Sequence, residues 1–421
     1  MQRKKIKSKN EEPSVLHFIR KEDLMKTFLA GKSVFIVLSI VVVTFLVSPP
    51  ASAYQWPGTL TISTTGTGTS VYAQTLSWSA LLEEQTKMKV RVIPSDNYVE
   101  RARTHKAGQY VISLNTPTEV FTQIEANEMH ATRDGGPYDT RLFWTNSKNP
   151  FGFIVSKDSD VKTIYDLRKK KPKIALFTPS TASVLHVKAL LAMIRMDEKD
   201  VTFVPVTTWA NSTKSVPEGK ADVAFAGPTA SVSVEAEASA KGIRWLDYPK
   251  DDKEALARYA RVMRGISFGV CTTGVKSANG VYMAANVNQY YVRGSEDPEL
   301  MYQLAKWLVD SYPKYKDKHP HNETMSVDVQ GEILAAARHM NYIPVHDGTV
   351  RYLKEKGKWS AAETAWSDKN RELVARYTKA YQAAIAAADQ KNIKVVPDNN
   401  EWVALWGSYK KDFPLFGVPA Q

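Results

Sequence analysis

Apolar and polar positions fall into short blocks along most of the chain, and the order of blocks repeats. LTIS at 60–63 reads as a short strand. A hydroxyl-rich turn follows, and then Tyr72, Leu76 and Ala80 lie four apart, as one face of a helix does. KVRVI at 89–93 alternates like a half-buried strand. The chain therefore opens as strand–turn–helix–strand, a βαβ unit. A further strand at 110–114 runs into Asn115-Thr116-Pro117. The middle of the chain repeats the scheme. Strands are predicted at 151–155, 173–177, 201–206, 223–226 and 243–246, with helices ending near Lys171, over 184–196 and through Lys214. Two α/β units of this kind predict two lobes that close on a ligand, joined by a hinge of crossing strands at 151–155 and 266–271. The C-terminal region is helical. Leu373, Val374, Tyr377, Tyr381 and Ile385 form a stripe, flanked by Trp359, Trp366, Trp402 and Trp406.

The N-terminal block differs. Residues 34–47 are an apolar-dominated run between Lys32 and Ser48-Pro49-Pro50. The run is shorter than the roughly 20 residues a membrane span needs, and Ala51-Ser52-Ala53 follows it. This is the pattern of a cleaved signal peptide with a mature start at Tyr54; an uncleaved anchor is the alternative. Met25-Lys26 begins a more ordinary signal peptide than Met1 does, so translation from Met25 is a second possibility. The expected organisation is 1–53 signal segment, 54–154 and 273–358 one lobe, 155–272 the other, and 359–421 a helical extension.

Export changes how the charge is read. The full chain carries +12. Removing 1–53 leaves 47 basic and 40 acidic side chains, a charge of +7. Such a charge affects solubility and anion steering, and an exported protein is a poor candidate for nucleic acid. The single cysteine, Cys271, forms no intramolecular disulfide, and a chain of 421 residues has cores large enough to do without one. A soluble periplasmic protein is expected. RKKKPK at 168–173 is then a solvated helix end.

The candidate chemistry lies at the carboxyl ends of the predicted strands, where open α/β sheets bind ligands. In TTGTGTSVY, 64–72, the N–H groups of Gly66, Gly68 and Thr69 are candidates for a ligand carboxylate. Thr65, Thr67 and Ser70 would add hydroxyls and Tyr72 a phenol or a ring wall. No Gly-Lys-Ser/Thr follows, which excludes a nucleotide P-loop. Ser180, Thr181 and Ser183 repeat the logic from the second lobe. Both turns also read as ordinary Ser/Thr helix caps. Trp209 is a candidate aromatic wall or a core residue. The eight histidines show no metal-ligand spacing, and no cofactor is implied.

The chain resembles the TAXI-type solute-binding proteins of TRAP transporters. The resemblance is carried by the opening strand with TTGTGTSVY, IALFTPSTAS at 174–183, GKAD at 219–222 with 224–227, and YIPVH at 342–346. Gly348, Tyr352 and EKG at 355–357 complete it. It covers roughly residues 58–358. It implies a two-lobed protein that delivers a small organic anion, glutamate-like or a related carboxylate, to a membrane permease, with no covalent chemistry. It adds Asn115, Thr116, Gly227 and Thr229 as ligand contacts. Thr69 stands where the family usually has a second glycine. Ser180-Thr-Ala-Ser183 stands where it usually has Gly-Ser-Gly-Thr. Both changes add bulk beside the ligand, so the ligand does not transfer with the fold.

Two other classes remain. GISFG at 265–269 matches the G-x-S-x-G nucleophile elbow, which would make Ser267 the nucleophile of a secreted hydrolase, with Asp317, His319, His339 and His346 as possible partners. That motif demands a strand, a sharp turn and a helix, and no helical stripe follows here. An exported sensor is the other reading. The number of chains in the working protein, one or two, is open.

Overall fold

The first strand, β1 (Thr59–Thr64), alternates as the sequence requires, and Leu60 and Ile62 are fully buried on its core face. It leads to the helix Ser70–Thr86 and then to β2 (Lys89–Pro94), which pairs parallel with β1. The helix Tyr98–Lys106 follows, then β3 (Ile112–Asn115), parallel to β1 on its other side. The computed structural model describes residues 54–420, and the described residues from Trp56 onward form one compact unit. The expected signal segment lies outside the described residues.

β4 (Thr140–Ser156) is a single strand of 17 residues. β5 (Lys173–Phe177), β6 (Thr202–Val206) and β7 (Val223–Ala226) then repeat the opening scheme, with β5 parallel to both others. β8 (Ile243–Leu246) pairs with β4, and β9 (Ser267–Val270) pairs with β10 (Tyr282–Arg293). The strand order is β2-β1-β3-β10-β4-β7-β5-β6. Read inward from either edge, 2-1-3 and 6-5-7 are the same arrangement. The result is the two-lobed α/β fold, with a doubly wound half-sheet in each lobe.

The lobes are joined by β4 and β10, which run antiparallel over residues 140–151 and 284–293. β4 then leaves β10 and pairs with β7 and β8 of the second lobe. Segment 151–155 is therefore the distal part of a much longer crossing strand. The other expected crossing, 266–271, forms β9 instead, and its ladder is made with residues 282–285 of β10. The crossing strand on that side is β10. Ser267 opens β9, and its hydroxyl donates at 3.4 Å to the Ala285 carbonyl. The strand–turn–helix geometry of a nucleophile elbow is not formed there.

The C-terminal extension consists of the helices Ala361–Gln390 and Asn400–Lys410. Leu373, Val374, Tyr377 and Tyr381 of the expected stripe are buried, together with Ala384 and Ala388; Ile385 is half-buried. The extension packs on the first lobe around Glu125, which is fully buried and lies just past the helix Pro117–Ile124. Arg264 forms a two-pronged ion pair with its carboxylate, at 2.6 and 2.7 Å. The Phe416 N–H donates to the same carboxylate at 2.9 Å. The Glu125 carbonyl accepts from the Trp406 indole and the Lys410 ammonium. The Trp402 indole donates to the Ala131 carbonyl at 2.9 Å. A buried carboxylate is tolerated only when paired and hydrogen-bonded in this way.

Trp406→Ala removes a buried ring and leaves the Glu125 carbonyl with one donor fewer. Urea unfolding of this variant is expected to show a loss of roughly 3–5 kcal/mol. A loss below about 1 kcal/mol would mean that the extension does not contribute to the stability of the first lobe.

Candidate functional site

Four strands end at one place. β1 ends at Thr64, β3 at Asn115, β5 at Phe177 and β7 at Ala226, and their following turns enclose a cavity of about 60 Å³. The first lobe contributes Thr65, Thr69, Ser70, Val71, Tyr98 and Thr116 to its wall. The second contributes Ser180, Ala182, Ser183, His186, Trp209, Phe225, Gly227, Thr229 and Ala230. The crossing strands supply the remaining wall, Asn149 and Phe151 from β4 and Asn286 and Asn288 from β10. Drug-sized ligands occupy cavities of roughly 300–1,000 Å³, so this closed form has room only for a small solute.

Nine of the fifteen residues expected from the sequence meet here: Thr65, Thr69, Ser70, Thr116, Ser180, Ser183, Trp209, Gly227 and Thr229. Gly66, Thr67, Gly68, Tyr72, Asn115 and Thr181 do not line the cavity. Their places have local causes. Thr67 is exposed at the tip of the turn. The Gly68 carbonyl accepts from Ser231 Oγ of the other lobe at 3.1 Å. Tyr72 lies on the first turn of its helix and donates its N–H to the Thr69 cap. Asn115 Oδ1 accepts at 2.7 Å from the buried Arg101.

The expected carboxylate cradle is already used. The Gly66 N–H donates to Asp96 Oδ1 at 3.1 Å, and the Thr69 N–H donates to the Gly66 carbonyl. A Cβ at Gly66 would lie 2.3 Å from that Asp96 oxygen. Glycine is needed there because the chain's own carboxylate approaches so closely. In the second turn the N–H groups of Thr181 and Ala182 donate to Glu119, at 3.3 and 2.7 Å, and the Ser183 N–H to Ser180 Oγ. Glu119 lies on the first-lobe helix Pro117–Ile124 and is 1% exposed. It therefore binds the positive end of the second-lobe helix Thr181–Met193 from across the cleft. Of the backbone donors first assigned to a ligand anion, those of Gly66 and Thr69 serve the protein itself.

The groups left over are different ones. Ser70 Oγ, Trp209 Nε1, Asn149 Oδ1 and Asn286 Oδ1 are buried and without a protein partner. Buried polar atoms are nearly always satisfied, and these four line one cavity, where a bound molecule can supply the bonds. The rest of the wall is aromatic. His186 stacks on Phe225 at 4.1 Å, and Phe151 stacks on Phe225 and meets Trp209 edge-on. His186 Nδ1 is 2.5 Å from the Tyr259 hydroxyl. Burial lowers the His186 pKa to about 3, and burial raises the Tyr98 phenol to about 12. Both are uncharged near neutral pH. Burial also raises Asp96, against the lowering effect of its bonds to the Gly66 and Trp209 backbone.

Sequence reading missed Tyr98, Asn149, Phe151, His186, Phe225, Asn286 and Asn288. A signal existed for the asparagines. Asn286 and Asn288 stand two apart, on one face of a strand, and pair in register with Asn149 and Ser147. Four polar side chains on one face of a strand pair at the hinge are a mark of a site. The aromatic residues carried no comparable signal, because rings in strands and helices are ordinary core.

Comparison with known proteins places the fold in context. The chain is similar to the periplasmic aliphatic sulphonate binding protein SsuA of Escherichia coli, with 12% identity, 87% of this chain and 94% of that one covered, and a TM-score of 0.39. It is similar to a phosphonate transporter binding component of Pseudomonas aeruginosa, at 11% identity, 76% and 97% coverage and a TM-score of 0.44. The alkanesulfonate-binding protein SsuA of Xanthomonas axonopodis pv. citri gives 14%, 81% and 96%, and 0.37. Such distant likenesses carry no statement about ligand. No curated protein matches the chain significantly. One family model does, over residues 62–357, from the core of β1 to the end of the last helix before the extension, and the chain belongs to the NMT1-like family.

Proposed function

We propose that the protein is an exported solute-binding protein that closes its two lobes over a small polar solute and hands it to a membrane permease. One observation carries the reading: four buried, unpartnered polar atoms from both lobes and both crossing strands meet in one cavity at the strand ends. Binding proceeds without covalent change. The solute replaces the missing partners, and the aromatic walls exclude water from those bonds. A TRAP-type permease as the recipient, and the periplasm as the location, rest on the TAXI resemblance and on the signal-like N-terminal pattern. Direct contacts already hold the lobes together beside the cavity: Glu119 to Thr181 and Ala182, the Tyr98 N–H to the Pro179 carbonyl at 3.1 Å, Ser231 to Gly68, and Asp96 to the Trp209 backbone. Opening breaks these contacts and closure re-forms them.

A test of the site is Trp209→Phe, which keeps the ring and removes the indole N–H. Solute affinity measured by calorimetry is expected to fall about tenfold, the worth of one buried hydrogen bond. An unchanged affinity would move the site away from Trp209.

Two pH responses are expected, and they differ. No lining side chain titrates between pH 5 and 9, so the affinity for a non-ionising solute should be flat over that range. Stability should not be flat. His105 and His186 are held near pKa 3 by burial, with Arg293 adding to the effect on His105, and His321 is held near 4 by burial and then by His319. Unfolded histidine takes a proton near pH 6.5, so the unfolded state binds more protons below that value. Stability is then complete above about pH 6.5 and falls as pH drops toward 4, by up to about 1.4 kcal/mol per pH unit for each such histidine. Thermal midpoints at pH 7.5 and 5 give the check; an equal midpoint at both would contradict the buried, neutral state of these rings.

A further inference from the structure

We infer that the cavity selects a solute without net negative charge, a compact molecule such as a primary amide or short polyol, and that Glu119 and Asp96 set this selectivity. The inference rests on the reading of the cavity as a solute site.

In a fold of this kind the natural seats for an anion are backbone N–H groups at helix N-termini facing the cleft. Here the seat of the helix Thr181–Met193 is filled. Glu119 takes the Thr181 and Ala182 N–H groups, and Ser180 takes that of Ser183. At the first turn Asp96 takes the Gly66 N–H and is also hydrogen-bonded to the Trp209 backbone. Each carboxylate sits one layer behind the wall, bonded to the wall's own backbone. An incoming anion finds these donors spent and two negative charges close behind them.

No cation in the wall offsets this, because the lining residues carry hydroxyls, amides and aromatic rings. The buried Arg101 is not among the lining residues and lies behind Tyr98 of the wall. It is 4.1 Å from the Tyr98 ring centroid and donates to the Ser95 and Leu114 carbonyls and to Asn115 Oδ1. Its charge acts on both carboxylates from inside the protein, and His130 Nε2 stands 3.7 Å from Glu119 Oε1. An anion in the cavity would thus be buried without a counter-charge in the wall and without the N–H groups of Gly66, Thr69, Thr181, Ala182 and Ser183, a costly state. A neutral solute avoids that cost. It needs both donors and acceptors to meet Ser70, Trp209, Asn149 and Asn286, which suits an amide or a diol better than an acid.

The experiment uses the full chain labelled with ¹⁵N, in which the Trp209 indole N–H is a reporter inside the cavity. Its resonance is identified among the 10 tryptophans by its loss in Trp209→Phe. Matched neutral and acidic probes are titrated to high concentration: lactamide against lactate, succinamide against succinate, glycerol against glycerate. The expected result is a saturating shift with at least one neutral member and an affinity at least about tenfold weaker for its acid partner. Glu119→Gln should narrow that ratio about tenfold, because the seat loses its charge; Asp96→Asn provides the same test if that variant fails to fold. An acid that saturates at the same or lower concentration than its neutral partner overturns the charge inference and leaves the solute site standing. No shift with any probe overturns the solute site itself, and the inference with it.

Discussion

The closed form depends on a carboxylate that crosses the cleft. Glu119 leaves a helix of the first lobe and ends on the first two N–H groups of a helix in the second. The start of a helix carries unsatisfied donors and roughly half a positive charge, so it attracts whatever anion is nearest. In this protein the nearest anion is its own. Asp96 does the same at the turn after β1, and Gly66 is the residue that lets it come so close. Two features usually associated with ligand capture thus hold the lobes and turns in place. The cavity wall itself carries neutral groups.

That division follows from how the lobes are joined. β4 and β10 form one antiparallel pair through both halves of the molecule, and the cavity lies against the part of that pair where Asn149 faces Asn286. The crossing strands therefore supply cavity-lining side chains as well as the connection between the lobes. Toward Thr140 and Arg293 the ladder shifts register twice, between Asn288 and Gln289 and between Tyr290 and Tyr291, while Asn286 and Asn288 stay in register with Asn149 and Ser147. The C-terminal extension braces the first lobe from outside the cleft, through the buried Glu125 and its bonds to Arg264, Phe416 and Trp406. It lies beyond the segment that matches the family, and its Phe416 also meets Arg264 of the 155–272 segment.

Much of this was legible in the sequence, for identifiable reasons. Alternation in KVRVI and the Ser/Thr-rich ends of predicted strands gave the βαβ units, because a doubly wound half-sheet imposes both patterns locally. The same logic brought nine wall residues together. It failed where the determining partner is remote. Gly66 and Asp96 are 30 residues apart, and Thr181 and Glu119 are 62 apart. Nothing in a turn's own sequence says that its N–H groups are already taken. β4 was read only from Phe151 because Thr145 to Pro150 is polar and ends in proline. In the structure Thr145, Asn146, Ser147 and Asn149 are buried, Lys148 is exposed, and Pro150 still pairs with Ala285. β9 was mistaken for a crossing because a hairpin strand and a crossing strand have the same local pattern.

The claim on which the account turns is that Glu119 sits on the second-lobe helix in solution before any solute binds. Amide hydrogen exchange at Thr181 and Ala182 in the solute-free protein measures this directly. Helix first-turn amides with no partner exchange nearly freely, whereas donors held by a buried carboxylate are protected by roughly a hundredfold or more. The account predicts protection of both amides in the unmodified protein and its loss at both in Glu119→Ala. Free exchange at Ala182 in the unmodified protein would contradict it, and would return that helix terminus to the solute.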